Sequence, residues 1–255
     1  MYKFYDTIWQ EIPFSSFSKL SYFKLADSEF YEKFYNAFFK KYTSYEELSE
    51  SWRKKKELQG AHIIEFIRKE ALHSNILSIG CGMGYLEYKI IQSDLGSKIN
   101  LYCQETSETS FKFLKKYISQ SNCFCGFIPQ CIPDDLKFNL IYLLTVDYAL
   151  SNRQLTDMLS SLKGYLANDE SSILISSLTI EEYKNISPYC YIKNQYNKLK
   201  DLFYHMKNES EKQFWGWFRT IDELIKICIK SGLLIKEYGS FANDIHNLYI
   251  RLGKN

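Results

Sequence analysis

The sequence predicts an α/β protein: a seven-stranded, mostly parallel sheet with helices on both faces and a C-terminal antiparallel hairpin, preceded by an N-terminal helical cap. Three observations support this prediction. From residue 75 onward, strand-like and helix-like segments alternate, as in sheets built from right-handed crossovers. Residues 138–144 form a nearly continuous apolar run, which is typical of a strand covered on both faces. The last two strands are joined by a short connection, which favours a hairpin.

The elements are predicted in chain order as follows. Residues 1–70 are interpreted as the helical cap, without strands, and contain helices over 30–42 and about 45–70, the second beginning at a capping box, Ser44–Glu47. The sheet domain spans 71–255, with strands at 75–80, 98–104, 122–128, 138–144, 172–177, 233–239 and 248–252. Its helices lie at 83–94, 107–119, 151–166 and 221–231, with N-caps at Ser107, Ser151 and Thr220. Residues from about 181 to 215 break the alternation and are interpreted as a helical insertion over the strand ends.

The charge of the chain limits its partners. With 32 basic and 30 acidic residues the formal net charge is +2. No long-range positive field is expected, so no nucleic-acid partner is expected either. The only basic run, Arg53–Lys56, is interpreted as the solvated face of a helix. The alternative is a docking site for a phosphorylated substrate.

The cysteines and the apolar runs predict the compartment. The chain has seven cysteines and no Cys-x-x-Cys pair, which favours small buried thiols in a reducing cytosol. Cys123, Cys125 and Cys131 have no nearby fourth ligand, so no metal is expected. No apolar signal core and no run of 18 apolar residues is present. We therefore expect a soluble, cytoplasmic protein without membrane association.

The most informative segment is Ile76–Glu87, Ile-Leu-Ser-Ile-Gly-Cys-Gly-Met-Gly-Tyr-Leu-Glu. A buried strand leads into a turn with glycine at Gly80, Gly82 and Gly84, and a helix follows. Such a turn lets the backbone approach a ligand closely at a helix N-terminus. A dinucleotide site needs glycine at the first, third and sixth positions, and here Tyr85 occupies the sixth. The spacing therefore disfavours a nicotinamide-dependent oxidoreductase.

Residues 76–87, with the strand order expected around them, resemble the nucleotide loop of the class I S-adenosylmethionine-dependent methyltransferases, of the type that acts on small molecules. The resemblance covers about residues 75–255 and implies S-adenosylmethionine as cofactor, with S-adenosylhomocysteine as product. It places Ser78, Gly80, Cys81, Gly82 and Gly84 around the methionine moiety and ribose.

The same resemblance implies the rest of the cofactor site. An acid at the end of the second sheet strand, Glu105, would bind the ribose hydroxyls, with Thr106 beside it. Gln104 takes that role if the strand is one residue shorter. Phe127 lies near the expected adenine pocket, where Gln130 is a second candidate. Leu143 begins the segment that faces the methyl group in this fold.

Four residues are candidates for catalysis. Asp147 and Tyr148 follow the apolar strand and would contact the cofactor or a substrate proton; packing or helix capping is the alternative for both. His205 and His246 are the imidazoles best placed as a general base for a hydroxyl acceptor, although a lone histidine is more often structural. The acceptor pocket is expected between the cap and the insertion, with candidates Tyr5, Trp9, Trp52, Trp215, Trp217 and Arg219.

The resulting hypothesis is methyl transfer to a small-molecule acceptor, on oxygen, in a setting such as modification of a sugar or phosphorylated precursor in surface-glycan synthesis. The chain lacks the Asn/Asp-Pro-Pro-Tyr/Phe signature of exocyclic-amine methylation and a Pro-Cys nucleophile, which counts against base modification. An RNA or protein methyltransferase and a non-catalytic S-adenosylmethionine-binding protein are the alternatives. The acceptor, the methylated atom and the oligomeric state stay open.

Overall fold

The computed structural model describes residues 2–119, 122–179, 210–241 and 244–254. Its strands, in chain order, are β1 (Tyr2–Asp6), β2 (Ile8–Trp9), β3 (Ile12–Pro13), β4 (Asn75–Ile79), β5 (Asn100–Glu105), β6 (Cys123–Cys125), β7 (Leu140–Leu144), β8 (Ser172–Leu178), β9 (Gln213–Phe218), β10 (Leu234–Phe241) and β11 (Asp244–Gly253). Its α-helices are α1 (Ser28–Lys41), α2 (Glu50–Glu70), α3 (Tyr85–Gln92), α4 (Glu108–Leu114), α5 (Asn152–Leu162) and α6 (Ile221–Lys230).

The predicted seven-stranded sheet is confirmed. Its strand order is β10-β11-β8-β7-β4-β5-β6. The five strands from β8 to β6 run parallel, and β11 is antiparallel to both β8 and β10. β4 pairs with β5 on one side and β7 on the other, so the chain reverses its direction of travel across the sheet at β4. In open α/β sheets, ligands bind at such a switch point, beyond the carboxyl ends of the strands.

Helices cover both faces of the sheet, as predicted. On one face α2 and α3 bury Ile63, Ile67 and Ile90 against the sheet. On the other face α5 and α6 bury Leu155 and Leu224, both fully inaccessible to solvent. The predicted N-caps Ser151 and Thr220 are confirmed at the starts of α5 and α6. In both helices the cap side chain accepts from the backbone N–H of the third helical residue, and that residue's side chain binds the cap backbone in return, which forms a capping box.

The prediction that residues 1–70 contain no strands is wrong. β1 pairs antiparallel with β9, with Tyr2 opposite Phe218 and Asp6 opposite Gln213. The partner strand lies some 200 residues away in sequence, so no local pattern marks β1 as a strand. The same pairing corrects the end of the predicted insertion at 181–215, because residues 213–215 are extended in β9. Residues 180–209 lie outside the described part of the chain.

The start of α2 also differs from the prediction. Ser44 makes no capping hydrogen bond, and residues 45–47 form a single 3₁₀ turn. The Glu47 carboxylate accepts from the Thr43 backbone N–H at 2.7 Å, but without a bond to the Ser44 hydroxyl the predicted capping box is incomplete. The helix begins after Ser49, whose hydroxyl accepts from the Trp52 N–H. At Ser107 the predicted N-cap is confirmed, but α4 ends at Leu114 rather than near 119.

A buried ion pair joins β9 to the sheet. Arg219 has no solvent exposure; its guanidinium donates to the Asp147 carbonyl at 2.6 Å and lies 3.7 Å from the Asp147 carboxylate. Its Nε donates to the Asn152 Oδ1 at 2.9 Å. The Ser177 hydroxyl on β8 donates to the same Asp147 carboxylate at 2.7 Å. The network therefore holds β9, the turn at 147–149 and the end of β8 together.

Within the described ranges, no helix combines the length and the apolar character needed to span a bilayer.

Replacing Arg219 should destabilise the fold strongly. Arg219→Met leaves the Asp147 carboxylate buried without its counter-charge, and breaking a buried pair in this way costs about 3–5 kcal/mol. Urea unfolding at neutral pH measures the loss. Lys54→Met is the matched control, because Lys54 forms an exposed pair with Glu50 on α2, and such pairs contribute little. Equal stability of the two variants would show that the buried network does not support the fold.

Candidate functional site

The glycine turn after β4 adopts left-handed backbone geometry. Gly82 and Gly84 have φ angles of +59° and +73°, which glycine adopts without the steric penalty of a Cβ. A Cβ on Gly82 would lie 2.7 Å from the Tyr35 hydroxyl of α1. A Cβ on Gly84 would lie 1.9 Å from a methyl carbon of Leu114, so Gly84 lets α3 begin directly against α4. Gly84 is therefore a packing glycine, whereas Gly80 and Gly82 border the cavities described below.

Glu105 lies at the end of β5, beside this turn. Its Oε2 accepts the Gly82 N–H at 2.7 Å. Its Oε1 accepts the Thr106 N–H at 2.7 Å and the Ser107 N–H at 3.2 Å. Burial raises the pKa of Glu105, while these N–H donors favour its charged form. The carboxylate is thus held at the switch point, and Oε2 retains an acceptor site because a carboxylate offers about four.

Gln104, the alternative to Glu105 as the residue that binds the ribose, makes hydrogen bonds to two loops of the protein instead. Its Oε1 accepts the Gly80 N–H at 3.0 Å and its Nε2 donates to the Gly126 carbonyl at 2.6 Å. The side chain is buried and ties the loops after β4 and β6 together. The predicted register, with Glu105 as the acidic group, agrees with this arrangement.

Two cavities meet over the glycine turn. The first, of about 480 Å³, lies between the turn, α2 and the N-terminal strands. The second, of about 1030 Å³, extends past Glu105 toward the loop after β6 and the start of α5. Both are bordered by the same five residues: Tyr35, Ile79, Gly80, Thr145 and Tyr148. A ligand with two ends can therefore place one end in each cavity across Gly80.

Two charged side chains, the half-buried Lys56 and the buried Glu87, border the first cavity. Lys56 on α2 donates from Nζ to the Thr145 hydroxyl at 3.2 Å, and burial lowers the pKa of Lys56 to about 8. Glu87 on α3 accepts at Oε1 from the Ser78 hydroxyl at 2.6 Å and from the Tyr142 hydroxyl at 2.8 Å. Burial raises the pKa of Glu87. No described residue forms an ion pair with either Lys56 or Glu87.

The basic run Arg53–Lys56 is therefore only partly a solvated face. Lys54 points to solvent and pairs with Glu50, but Lys56 points into the cavity, because successive residues of a helix are rotated by about 100°. The signal in the sequence was the helical spacing from Trp52 to Lys55, Lys56 and Gln59, all four of which border the cavity. Sequence reasoning missed two charged residues of this cavity, Lys56 and Glu87. For Glu87, no comparable spacing in the sequence pointed to the cavity.

The two candidates after β7 have different surroundings. Asp147 is bound by Ser177 and Arg219, as described above, and burial raises its pKa. Tyr148 borders both cavities, its hydroxyl lies 3.2 Å from that of Tyr31, and burial raises its pKa to about 12. Asp147 is thus placed to hold the turn, and Tyr148 to contact a ligand.

The remaining predicted residues divide into two groups. Ser78 and Cys81 border the first cavity, while Thr106, Phe127 and Gln130 border the second. Leu143 is a correction: it is fully buried in the core between β7 and α5. Side chains alternate along a strand, and the cavity walls are formed by Leu144 and Thr145 instead.

His205 lies outside the described residues. His246 is part of β11, but its side chain is also outside them. Of the acceptor-pocket candidates, Trp9, Trp52 and Trp215 border the first cavity and Trp217 the second. Tyr5 packs on Tyr22 and Phe214, and Arg219 is the buried partner of Asp147. In the described part of the chain, no group of three or more His, Cys, Asp or Glu side chains could hold a metal ion.

Comparisons with known proteins identify the fold. No model of a protein family matches the chain, and no curated protein matches its sequence. Solved structures do match. The magnesium protoporphyrin IX methyltransferase ChlM from Synechocystis PCC 6803, with bound SAM, aligns with a TM-score of 0.58 and 12% sequence identity. The alignment covers 92% of this chain and 100% of that chain.

Two further matches are to longer proteins. The mitomycin 7-O-methyltransferase MmcR gives a TM-score of 0.57 with 14% identity, over 90% of this chain and 58% of that one. The pyocyanin biosynthetic protein PhzM gives 0.55 with 16% identity, over 79% and 56%. The chain thus spans less than two thirds of the length of these two proteins. It has the class I methyltransferase fold, as the glycine turn and the strand order predicted.

Gly82→Ala should destabilise the protein by about 1–2 kcal/mol, because left-handed geometry costs an L-residue that amount and the new methyl group meets the Tyr35 hydroxyl. Gly164→Ala is the matched control, since a Cβ there meets nothing within 4 Å and the backbone is not left-handed. Thermal and urea unfolding of both variants measure the difference. If Gly82→Ala is as stable as Gly164→Ala, the turn does not have the described geometry.

Proposed function

We propose that the chain is an S-adenosylmethionine-dependent methyltransferase that transfers a methyl group to oxygen on a small-molecule acceptor. The observation that carries the proposal is the pair of cavities that meet over Gly80, with the Glu105 carboxylate in the second and the glycine turn between them. The names of two structural neighbours, an O-methyltransferase and a protoporphyrin methyltransferase, are consistent with it.

The residues of the site fit this cofactor. Glu105 is an acceptor-only group at the position where a ribose hydroxyl would donate, and the free acceptor site on Oε2 serves that bond. Thr106, Phe127 and Gln130 surround the same cavity; Phe127 is 63% exposed and offers a ring face to a base. Gly80, Cys81 and Gly82 continue from there into the first cavity.

The acceptor would enter the first cavity, where Phe4, Trp9, Trp215 and Phe218 form an aromatic wall. When bound, S-adenosylmethionine supplies a methyl group on a good leaving group, so alignment is the main contribution required of the protein. Alignment can supply roughly 7–11 kcal/mol in the best cases. The cap, residues 1–70, forms much of this wall and would exclude water.

The Tyr148 hydroxyl, which lies 3.2 Å from that of Tyr31, would orient an acceptor hydroxyl from the border of both cavities. Since burial raises the pKa of Tyr148 to about 12, it acts here as a donor and acceptor of hydrogen bonds at neutral pH. Asp147 would hold the turn that carries Tyr148. His205 and His246 stay candidates for the general base.

The narrower setting would be a sugar or phosphorylated precursor in surface-glycan synthesis, and Lys55, which borders the first cavity, offers a cation to an anionic acceptor. Methyl transfer from labelled S-adenosylmethionine is therefore tested with hydroxylated metabolites that include sugars and sugar phosphates, and with RNA and protein pools. Labelled small molecules detected by mass spectrometry support the proposal. Labelled RNA or protein alone, or binding without transfer to any pool, would refute it.

Glu105→Gln should weaken binding of S-adenosylhomocysteine at least about tenfold, because a charge-assisted hydrogen bond contributes roughly 1.5–3 kcal/mol. Titration calorimetry measures the affinity, and circular dichroism checks that the variant is folded. Glu108→Gln, an exposed change nearby on α4, is the control and should bind as the unmodified protein does. Undiminished affinity in folded Glu105→Gln would remove Glu105 from the site.

A further inference from the structure

Two opposite charges border one cavity without neutralising each other. Lys56 and Glu87 both contribute to the wall of the first cavity. They are close enough to influence each other electrostatically, but they form no ion pair. Among the described residues Lys56 has a single hydrogen bond, to Thr145, although an ammonium offers three donors. Glu87 is 3% exposed and is bound by two hydroxyls.

Such an arrangement is costly for a structural role. Desolvated charges without an ion partner destabilise a fold, and apolar side chains of similar size would serve packing better. The Gln59 Oε1 atom adds to this cost, because it is buried at the same wall and has no hydrogen-bond partner in the described part of the chain. Lys56, Glu87 and Gln59, all at one wall of the cavity, can therefore each form a further hydrogen bond or ion pair with a ligand.

The chemistry of the two charges selects one class of ligand. A phosphate or a simple carboxylate would satisfy Lys56 but would be repelled by Glu87. A simple amine would be bound by Glu87 but repelled by Lys56. An α-amino-acid group carries a carboxylate and an ammonium on one carbon, so it complements a cation and an anion that are held apart.

We propose that Lys56 and Glu87 form a zwitterion clamp for an α-amino-acid group, with Lys56 binding its carboxylate and Glu87 its ammonium. This inference rests on the proposed function: the group is the methionyl end of the cofactor, whose nucleoside lies beyond Gly80 in the second cavity. Ser78 near the end of β4 donates its hydroxyl to the Glu87 carboxylate at 2.6 Å. The anion of this wall therefore comes from α3, and β4 contributes a hydrogen-bond donor that holds it.

The test compares ligands with and without the amino-acid end. Calorimetry is run with S-adenosylhomocysteine and with 5′-methylthioadenosine, which keeps the nucleoside and thioether but lacks that end. Lys56→Met and Glu87→Gln should each weaken S-adenosylhomocysteine at least about tenfold and leave 5′-methylthioadenosine within about twofold. Lys54→Met, on the same helix but exposed, is the control and should change neither affinity. Melting temperatures confirm that the variants are folded.

A third ligand separates the two ends of the clamp. Decarboxylated S-adenosylmethionine keeps the ammonium and lacks the carboxylate, so Lys56→Met should weaken S-adenosylmethionine but not this analogue, while Glu87→Gln should weaken both. Equal losses for ligands with and without the amino-acid end, or undiminished S-adenosylhomocysteine binding, would overturn the clamp. So would a free amino acid that binds beside S-adenosylhomocysteine and alone responds to Lys56→Met, since the group would then be an acceptor. If the unmodified protein binds none of the nucleosides, the proposed function itself fails.

Discussion

The arrangement of the site depends on the hydrogen bonds that Glu105 accepts from Gly82, Thr106 and Ser107. The left-handed turn directs the Gly82 N–H toward the end of β5, where only an acceptor can satisfy it. A carboxylate there binds the turn and the start of the next loop at once. Gln104 does the same for Gly80 and Gly126. Two adjacent side chains therefore hold the loops after β4, β5 and β6 in one geometry, and both cavities border that geometry.

The N-terminal segment adds a wall to this open edge. α1 places Tyr31 and Tyr35 against Tyr148 and Gly82, and the Tyr45 hydroxyl donates to the Met83 carbonyl in the glycine turn at 2.5 Å. Phe14, Phe34 and Trp215 pack this segment into an aromatic cluster. In the proposed function, this segment would give the acceptor one wall of the first cavity.

The sequence predicted those elements whose conformation depends on residues close to them in the chain. Strands β4, β7 and β8 are apolar because both faces are covered, and the helices after Ser151 and Thr220 begin at residues that cap their own first turn. The parts that were missed depend on distant partners. β1 is a strand because β9 pairs with it, and Ser44 does not cap the long helix because the chain forms a 3₁₀ turn there and the helix begins after Ser49. Leu143, the first residue of the segment expected to face the methyl group, is buried in the core, and its neighbour Leu144 borders the cavity because side chains alternate along a strand.

The sequence by itself determined the order of strands and helices in the seven-stranded sheet, the glycine turn and the acid at the end of the second sheet strand, because each depends on backbone conformation and burial patterns that neighbouring residues impose. Only the tertiary structure decided which polar side chains meet. Lys56, Glu87 and Tyr148 come from three separate segments, and they border one cavity because α2 and α3 pack on the sheet beside the turn that follows β7. Distances between segments are set by that packing, and no periodicity along the chain encodes them.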